Sequence, residues 1–394
     1  MPVLTDQHGK KYSITDSDRF AGGGEGALYH IPGNKDLVIK LYHDTTPSED
    51  LKRFEKKIEA LTDYYDGRSP QTQKIIYDQI AWPISFLRDS YGNFRGFTMR
   101  NLSGCEELCN VYANNQSRYS KSDFSFAEKI HVAKNLCIAV NVMHDHLRFV
   151  VGDFNAKNFM VDYKKGYVYL IDADSFHLRY YENIRGRRME RYLPALVCRP
   201  EYLPPEMHQY ISDQKVKISE LPQPSFNLES DLFGLAIHIF QLLMNGTHPY
   251  GVKANPAHRT HSFSPSKADI GWAEGIKYNR YVYSKNPQIL KLIFHYLPPD
   301  DAPPYSLLPD YLQQMFERAF VITDPTSKAQ LARQAGDRKY FSDHPVRPTA
   351  AEWYGALDRF AHEQIRCKKN PRHEYGIHLR SCPWCEIDRK NGNK

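Results

Sequence analysis

The residues that most constrain this chain are two aspartates and an asparagine near its middle. Asp153 and Asn158 stand five positions apart after an apolar pair, and Asp172 comes after a second apolar run. An aspartate can accept the proton of an attacking hydroxyl, and aspartate and asparagine oxygens are hard ligands that suit Mg²⁺. Because a short Asp-x4-Asn match also occurs by chance in many proteins, its meaning depends on the motifs around it.

The composition indicates a folded intracellular protein. The 394 residues are enough for two large lobes and a small appendage, and 41% hydrophobic against 25% charged residues can build a core. The net charge of +6 does not argue for a nucleic-acid partner. No apolar stretch reaches the ~18 residues of a membrane span, and the N-terminus lacks the pattern of a secretion signal. Seven cysteines, three of them crowded near the C-terminus beside histidines, favour metal binding in a reducing cytoplasm.

The order of the predicted elements runs from strands to helices. Strands surround a glycine turn at residues 21–26, and the next strand carries Lys40. We expect a helix from Ser48 to Leu61 and strands from Ile75 to Met99. The chain then becomes mainly helical, and segments 208–228 and 251–308 are predicted to be insertions or long loops. On their own, the glycine turn is also typical of a plain hairpin and Lys40 of a solvated strand edge.

These motifs, in this order, resemble those of the eukaryotic-type protein kinases over roughly residues 15–360. The segment from Cys198 to Glu206 resembles the G-T-P-E-Y-L-A-P-E motif, and Asp231 begins a segment like the D-x-W helix start. His248 begins a match to P-P-F, and Arg347 a match to the late R-P-T motif. The resemblance implies an α+β, bilobal protein-kinase fold, with a β-rich lobe at residues 1–101 and a larger helical lobe at residues 102–362. It also implies a buried Arg347–Glu206 ion pair.

The resemblance assigns a catalytic set that uses ATP and Mg²⁺. It consists of a base, two magnesium ligands, and a lysine with its glutamate partner: Asp153, Asn158 and Asp172, Lys40 and Glu55. Glu49 and Glu59 are rivals for the place of Glu55.

Residues that bind the nucleotide are implied by the same resemblance. The glycine loop, the lysine strand, the hinge and the metal ligands supply them: Ala21, Gly23, Gly26, Leu28, Val38, Lys40, Met99, Arg100, Leu102, Asn158 and Asp172. Main-chain groups near Arg100 and Leu102 are expected to hydrogen-bond the adenine.

The departures from the kinase pattern bear on mechanism. Gly152 replaces the arginine that reads a phosphorylated activation loop, and residues 177–206 contain no Ser or Thr. We therefore expect an enzyme that does not depend on Ser/Thr phosphorylation in that span. Asp174 replaces the glycine of D-F-G and is either a second metal ligand or a turn or capping residue. Lys157 either steadies the γ-phosphate or is a surface lysine.

The C-terminal residues 363–394 are predicted to form a small zinc-binding unit. Cys367, His373, Cys382 and Cys385 give a soft Cys₃His set suited to tetrahedral, structural Zn²⁺. His378 is the alternative fourth ligand, and a redox pair of thiols is the alternative to zinc.

A kinase core with this tail resembles a bacterial group of Ser/Thr-kinase-like proteins, the YegI-like group. The shared features are the Gly-Asp-x-Asn loop, the segment from Asp172 to Phe176 and the terminal Cys-Pro-Trp-Cys. The resemblance implies protein substrates and, as operon partners, a phosphatase and a von Willebrand-type domain protein of the tellurite-resistance type. It implies neither a membrane nor a nucleic-acid partner.

Three functions are compatible with these observations. The first is an active ATP- and Mg²⁺-dependent protein kinase that acts on Ser/Thr. The second is a nucleotide-binding scaffold without activity, which the departures at Gly152, Asn155 and Asp174 favour. The third is a small-molecule or tyrosine kinase, which Lys157 and Arg199 favour.

Overall fold

A computed structural model describes residues 3–112, 124–221, 223, 225–258, 271–336 and 344–390. The chain forms two compact units. The first unit comprises residues Met1–Cys105, Tyr169–Asp174 and Tyr180–Leu193, and the second comprises Glu106–Val168, Ser175–Arg179 and Pro194–Lys394. The predicted tail, residues 363–394, is part of the second unit, and its status as a separate domain stays a prediction.

The first unit is built on an antiparallel sheet of seven strands in the order β2-β1-β6-β7-β5-β4-β3. A small core that includes Leu4, Tyr29 and Ile39 packs against it. The strands are β1 (Leu4–Asp6), β2 (Lys11–Tyr12), β3 (Arg19–Gly22), β4 (Gly26–Ile31), β5 (Asn34–Tyr42), β6 (Ser85–Arg88) and β7 (Phe94–Arg100). The central strand β5 pairs with β4 on one side and β7 on the other, which fixes the direction of the Lys40 side chain.

Two helices complete the N-terminal part of the first unit, α1 (Ser48–Asp66) and α2 (Pro70–Gln79). Helix α1 confirms the predicted helix. It begins directly after Pro47, as expected, and is longer than expected at its C-terminal end. Helix α2 contradicts the prediction of strand structure from Ile75 onward. Ser69 caps this helix by accepting a hydrogen bond from Thr72 N, and a proline occupies its first position, which is a favourable start for a helix.

The remaining strands are β8 (Glu106–Glu107), β9 (Phe159–Val161), β10 (Val168–Leu170), β11 (Leu178–Ile184), β12 (Arg187–Leu193), β13 (Lys253–Ala254), β14 (Tyr296–Leu297), β15 (Gln364–Arg366) and β16 (Glu374–Gly376). Apart from β11 and β12, these strands have only two or three residues. Strands β11 and β12 form a hairpin where the sequence predicted no strand. Its turn has positive φ angles at Arg185 and Gly186, as tight hairpin turns require.

The second unit is mainly helical. Its helices are α3 (Cys109–Tyr112), α4 (Phe126–Asn141), α5 (Pro205–Gln214), α6 (Leu228–Leu243), α7 (Trp272–Lys277), α8 (Pro287–Ile293), α9 (Asp310–Phe320), α10 (Pro325–Gly336), α11 (Ala350–His362) and α12 (Pro383–Lys390). Every residue of α6 is buried, so this helix forms the centre of the core. Helix α5 shows that residues 208–214 are not a loop, and α7 and α8 show the same for parts of 271–308. Residues 259–270 of the second predicted insertion lie outside the described residues.

The described part of the chain offers no candidate for a membrane span, because none of its helices is both long enough and apolar enough.

Candidate active site

Lys40 is held between two carboxylates of the first unit. Its Nζ lies 2.8 Å from Asp172 Oδ1, 2.7 Å from Asp174 Oδ2 and 3.0 Å from Asp174 Oδ1. The lysine side chain is only 12% exposed. Burial by itself would lower the pKa of Lys40, but the charges of Asp172 and Asp174 outweigh it and raise that pKa. The predicted phosphate lysine and the predicted metal ligand Asp172 therefore meet, although they are 132 positions apart in the sequence.

The backbone just before Asp172 is held within the first unit by contacts with residues 80 and 81. Leu170 pairs with Ile80, and the Ala81 N–H donates to the Leu170 carbonyl over 2.8 Å. Asp172 itself has a φ of 61°, in the left-handed region that non-glycine residues seldom occupy. Such a conformation persists only where the surroundings fix it, and it is common at functional sites.

Asp174 is more deeply placed than Asp172. Its side chain is 0% exposed, whereas that of Asp172 is 31% exposed. Tyr42 donates its phenolic hydrogen to Asp174 Oδ2 over 2.5 Å. Burial raises the pKa of Asp174, and Lys40 opposes that shift. The prediction of a turn or capping role overlooked this contact with the lysine. Tyr42 was not predicted at all, although it is two positions from Lys40 on one strand and so shares its face.

The prediction that Glu55 is the partner of Lys40 is wrong. Glu55 Oε1 lies 2.7 Å from Arg88 Nη2, and Glu59, one of its rivals, lies 2.8 Å from the same atom. The buried face of α1 carries Phe54 and Lys57 instead, so the helix turns its glutamates toward the arginine of β6. Glu55 therefore belongs to a partly exposed ion pair at the side of the sheet.

The glycine loop joins β3 to β4 as a tight turn. The Gly23 N–H donates to the Gly26 carbonyl over 2.9 Å, and Ala21 is paired with Leu28 across the two strands. A Cβ at Gly26 would meet the Leu41 carbonyl oxygen at 2.3 Å, so this position requires glycine. The glycine turn expected at residues 21–26 is therefore present, and its binding of phosphates stays a prediction.

Glu25, at the tip of this loop, was not predicted to be part of the site. Its Oε2 lies 3.8 Å from Lys40 Nζ, and its side chain is 52% exposed. Burial raises the pKa of Glu25, while Lys40 lowers it. Together with Asp172 and Asp174, it puts three carboxylates around one ammonium group.

The predicted hinge lies at the end of β7. Met99 is buried and is the cross-strand partner of Val38 on β5. The Arg100 guanidinium donates to the Tyr77 carbonyl over 2.7 Å. The Asn101 N–H donates to the Asp36 carbonyl over 2.8 Å and is therefore engaged within the sheet. Leu102 comes directly after it, and its carbonyl accepts from the Cys105 N–H over 2.9 Å.

The other half of the predicted catalytic set lies in the second unit. Asn158 Nδ2 donates to both the Asp153 carbonyl and Asp153 Oδ2 over 3.1 Å, so these two side chains are locked together. Since the amide nitrogen is used in this way, the Asn158 oxygen is the atom left for a cation. Lys157 reaches Glu107 only at 3.9 Å and is 57% exposed.

Asp231 anchors the loop that carries Asp153. It is fully buried at the start of α6 and accepts from the Val151 N–H over 2.6 Å and from the Gly152 N–H over 2.9 Å. His144 Nε2 lies 2.9 Å from the same carboxylate. Asp231, which the sequence places in a segment like the D-x-W helix start, thus holds the loop that precedes Asp153.

A neutral histidine supports the same loop from the other side. His238 Nε2 donates to the Phe154 carbonyl over 2.7 Å, and its Nδ1 accepts from the Tyr112 hydroxyl over 2.5 Å. Burial lowers the pKa of His238 to about 3, so the ring stays uncharged at neutral pH. Sequence reasoning missed this residue, because its only signal was the apolar helix around it.

Gly152 explains why no arginine precedes Asp153. Its φ is 82°, and a Cβ there would lie 3.0 Å from Ala195 Cβ and 3.2 Å from His177 Cβ. His177 and Ala195 thus pack directly on the loop that carries Gly152. Cys198 belongs to this packing; burial, and then the charge of Asp153, raises the pKa of its thiol. The cysteine is therefore a thiol, and it is a neighbour of Asp153.

The predicted ion pair of the second unit is confirmed. Arg347 donates from Nη1 to Glu206 Oε1 over 2.7 Å and from Nη2 to Glu206 Oε2 over 2.9 Å. The arginine side chain is 1% exposed and also bonds the carbonyls of Ala319 and Glu229. Buried charges of this kind are tolerated only when they are paired and hydrogen-bonded.

The four predicted zinc ligands converge in the tail. Their ligand atoms all lie within 4.8 Å of one another. Cys367 Sγ lies 3.5 Å from Cys385 Sγ, and His373 Nδ1 lies 3.5 Å from Cys385 Sγ and 3.7 Å from Cys382 Sγ. Tetrahedral zinc with bonds of ~2.3 Å to sulfur and ~2.0 Å to nitrogen needs separations of ~3.8 and ~3.6 Å, so the donor set fits.

A second layer of contacts orients the histidine of this cluster. His373 Nε2 lies 3.2 Å from Asp388 Oδ2, which leaves Nδ1 directed at the sulfurs. The alternative ligand, His378, instead reaches the Ser306 carbonyl over 3.1 Å. Trp384 packs on Phe126 of α4 with ring centroids 5.0 Å apart, so the cluster holds the tail against the core of its own unit.

Two curated proteins are similar to nearly the whole chain. "Protein kinase YegI" of Escherichia coli O157:H7 is 30% identical over 386 residues, which are 95% of this chain and 49% of that protein. "Protein kinase YegI" of Escherichia coli (strain K12) is 30% identical over 372 residues, 93% of this chain and 47% of that protein. The chain therefore spans about half the length of these relatives. No protein-family model matches it.

Among solved structures, the chain is similar to one described as "ROP18 kinase domain in complex with AMP-PNP and sucrose". The TM-score is 0.48 and the identity 15%, over 92% of this chain and 86% of that one. The fold assignment does not use this solved structure. It depends on the sequence similarity to the two kinases and on the order of strands and helices in the two units. Over nearly its whole length the chain is similar to the YegI protein kinases, and its β-rich first unit and mainly helical second unit agree with the α+β, bilobal protein-kinase fold that the sequence predicts.

Proposed function

We propose that this chain is an ATP- and Mg²⁺-dependent protein kinase that transfers the γ-phosphate to Ser or Thr hydroxyls. The observation that carries the proposal is the contact between Lys40 and Asp172, 2.8 Å apart. In protein kinases a lysine of the β-rich lobe binds the phosphates beside an aspartate that binds the metal, and the Lys40–Asp172 contact agrees with that arrangement. The likeness to two kinases supports the same activity.

The proposed reaction gives each of the predicted catalytic residues except Glu55 one role. Asp153 accepts the proton of the substrate hydroxyl while the hydroxyl oxygen bonds to the γ-phosphorus, and the bond from that phosphorus to the bridging oxygen of ADP breaks. Asn158 and Asp172 are the residues that would hold Mg²⁺, which supplies positive charge to the phosphate oxygens. Lys40 binds the α- and β-phosphates. The glycine loop offers backbone N–H groups to the same phosphates.

The proposed kinase is active without phosphorylation of its activation segment. The loop that carries Asp153 is fixed by Asp231 and His238, neither of which needs a phosphate to bind it. Gly152 leaves no side chain that could read one. The support for this part of the proposal is therefore the set of loop contacts within the second unit.

A phosphoryl-transfer assay tests the proposal. The chain, incubated with [γ-³²P]ATP and MgCl₂, is expected to label itself or a protein substrate on Ser or Thr, as phosphoamino-acid analysis would show. Asp153→Ala and Asp172→Ala should each abolish labelling, whereas prior treatment with a phosphatase should not. Labelling that survives both substitutions, or none in any variant, would refute catalysis. Phosphotyrosine as the product would favour the tyrosine-kinase alternative.

A nucleotide-binding scaffold is the second candidate function. The observation in its favour is that Glu55 pairs with Arg88 and not with Lys40. A scaffold would bind ATP with or without Asp153, because the base takes no part in binding. The two functions therefore differ in one result: ATP binding in the absence of any phosphate transfer by the wild-type chain supports the scaffold.

We also propose that the tail binds one structural Zn²⁺ through Cys367, His373, Cys382 and Cys385, in a cytoplasmic protein that keeps these thiols reduced. Elemental analysis should find one zinc per chain, and Cys382→Ser should lower both this content and the melting temperature. Cys137→Ser, which alters a buried cysteine outside the cluster, should leave the zinc content unchanged. An unchanged metal content in Cys382→Ser would contradict the assignment.

A further inference from the structure

Lys40 has a fixed partner and an accessible one. Asp174 contacts its ammonium with both carboxylate oxygens and is completely buried, whereas Asp172 contacts it with one oxygen and is 31% exposed. A ligand that approaches from solvent can therefore reach Asp172 but not Asp174. The two aspartates differ in what they can give to a metal ion.

Tyr42 also holds Asp174 in place. The tyrosine and Lys40 lie on the same face of β5, so one strand presents both donors to one carboxylate. The Tyr42 ring stacks on Phe54 of α1 with centroids 4.6 Å apart and an angle of 8°. A hydrogen bond in these surroundings is strong, because little water competes for it.

Helix α1 supplies no carboxylate to Lys40. The carboxylates within 4 Å of its Nζ in the described residues are those of Glu25, Asp172 and Asp174. The buried face of the helix carries the cation Lys57, which is 3% exposed, and Glu55 is held by Arg88. Kinases of the resembled type have an ion pair between the lysine of this strand and a glutamate of this helix. The residues that the structure describes contain no such ion pair.

We infer that Asp174 is the residue that positions Lys40 for the nucleotide, in the place of a glutamate on helix α1. The inference rests on the proposed function, since it assigns a role within that site. Two aspartates of one short segment then have different roles. Asp172 turns to the metal when the nucleotide binds, and Asp174 keeps the lysine in place. Without Asp174, a metal on Asp172 would leave the buried ammonium without a buried carboxylate.

Nucleotide titrations test the inference. The probe is a fluorescent ATP analogue with MgCl₂, and folding of each variant is checked by circular dichroism. Asp174→Asn keeps the shape of the side chain and removes its charge, and it should raise Kd for the probe about tenfold or more. Glu55→Gln, the matched change on α1, should leave Kd within about twofold. Equal effects of the two substitutions, or none of Asp174→Asn, would overturn the inference.

The dependence on Mg²⁺ separates an anchor from a metal ligand. Asp172→Asn should raise the Mg²⁺ concentration needed for half-maximal probe binding, whereas Asp174→Asn should weaken binding at every Mg²⁺ concentration and leave that midpoint unchanged. A shift of the midpoint in Asp174→Asn as large as that in Asp172→Asn would make Asp174 a metal ligand and refute the anchor.

A double-substitution cycle shows whether Asp174 acts through Lys40. In a Lys40→Met background, Asp174→Asn should change Kd less than about twofold, because its target is already absent. An undiminished effect in that background would contradict the inference. If Asp174→Asn does not fold, Tyr42→Phe decides: it removes one hydrogen bond from Asp174 and should raise Kd about twofold to fivefold, and an unchanged Kd would refute the role.

These results are independent of phosphate transfer. A wild-type chain that binds the probe but transfers no phosphate would refute the proposed kinase activity, while the titrations would still decide on Asp174. A wild-type chain that binds no probe would refute both.

Discussion

The two lobes each bury a cation, and they treat it differently. In the helical lobe, Arg347 is 1% exposed and meets Glu206 in a bidentate pair, with Glu229 and backbone carbonyls around it. In the β-rich lobe, Lys40 is 12% exposed and lies among three carboxylates, one of which is half exposed. The arginine is satisfied by protein alone, whereas the lysine has an excess of negative charge around it that a bound metal ion would balance.

The difference separates a buried charge that we expect to be structural from one that we propose to be functional. Arg347 offers a planar fork that matches one carboxylate, and nothing in its surroundings needs to move. Lys40 offers a point charge on a flexible stem, and it stays paired with Asp174 when Asp172 moves away. Substitution of the arginine should therefore change stability, and substitution around the lysine should change binding.

The largest expected effect comes from removing the structural pair. Arg347→Met leaves Glu206 and Glu229 without their cation in the core of the second unit, and it should destabilise the protein by about 3–5 kcal/mol. Urea denaturation measures this. Lys285→Ala removes a loose ion pair with Asp310, both of whose side chains are more than 70% exposed, and should change stability little. An Arg347→Met protein that is as stable as the wild type would contradict the structural role of this arginine.

The second largest effect should be a loss of stability at acid pH, caused by two buried histidines of the helical lobe. Burial lowers the pKa of His238 and that of His248 to about 3, against 6.5 for an ordinary histidine. Between these values the unfolded chain binds protons that the folded chain does not, so stability is complete above pH 6.5 and falls toward pH 3. The loss should approach about 1.4 kcal/mol per pH unit for each histidine.

Denaturation at several pH values from about 7.5 to 4.5 measures this slope. His238→Gln keeps a neutral side chain that can hydrogen-bond. It should remove about half of the pH dependence of stability that His238 and His248 cause together. His362→Gln alters a side chain that is 78% exposed and should leave the slope as it is. A slope that is unaffected by His238→Gln would show that this ring is not buried as a neutral group.

The smallest effect should come from the glycine loop. Glu25 lies 3.8 Å from Lys40 and brings negative charge to the place proposed for the phosphates. Glu25→Gln should therefore lower Kd for the ATP analogue about twofold to fivefold, and less at high salt. Glu49→Gln, on an exposed residue of α1, is the control. Weaker binding after Glu25→Gln would mean that Glu25 helps to hold the metal with Asp172.

The pair Arg347–Glu206 and the anchor Asp231 could be predicted from the sequence because both belong to motifs with fixed places in the fold. The prediction failed at Lys40, since the partner was sought in the helix where kinases carry it. The alternative lay in the segment from Asp172 to Asp174, where a second aspartate replaces a glycine. A buried ammonium requires a carboxylate, but sequence alone does not tell which of several nearby acids is buried.

Elements were predicted best where one pattern ran for several turns. The long apolar periodicity of α4, α6 and α11 accounts for the mainly helical structure that the sequence predicts after residue 102. Helix α2 was missed because its isoleucines suggested a strand, although Ser69 with a proline after it is a typical helix start. The hairpin of β11 and β12 was missed because an Arg-Gly turn is a weaker signal than Asn-Gly.

Gly152 also bears on how the control of this protein can evolve. The space that an arginine would need is occupied by Ala195 and His177, and the backbone at this point is left-handed. An arginine introduced here by a single codon change would therefore distort the catalytic loop before it could regulate anything. A lineage with this glycine acquires phosphate control at this position only if the neighbouring segment changes first.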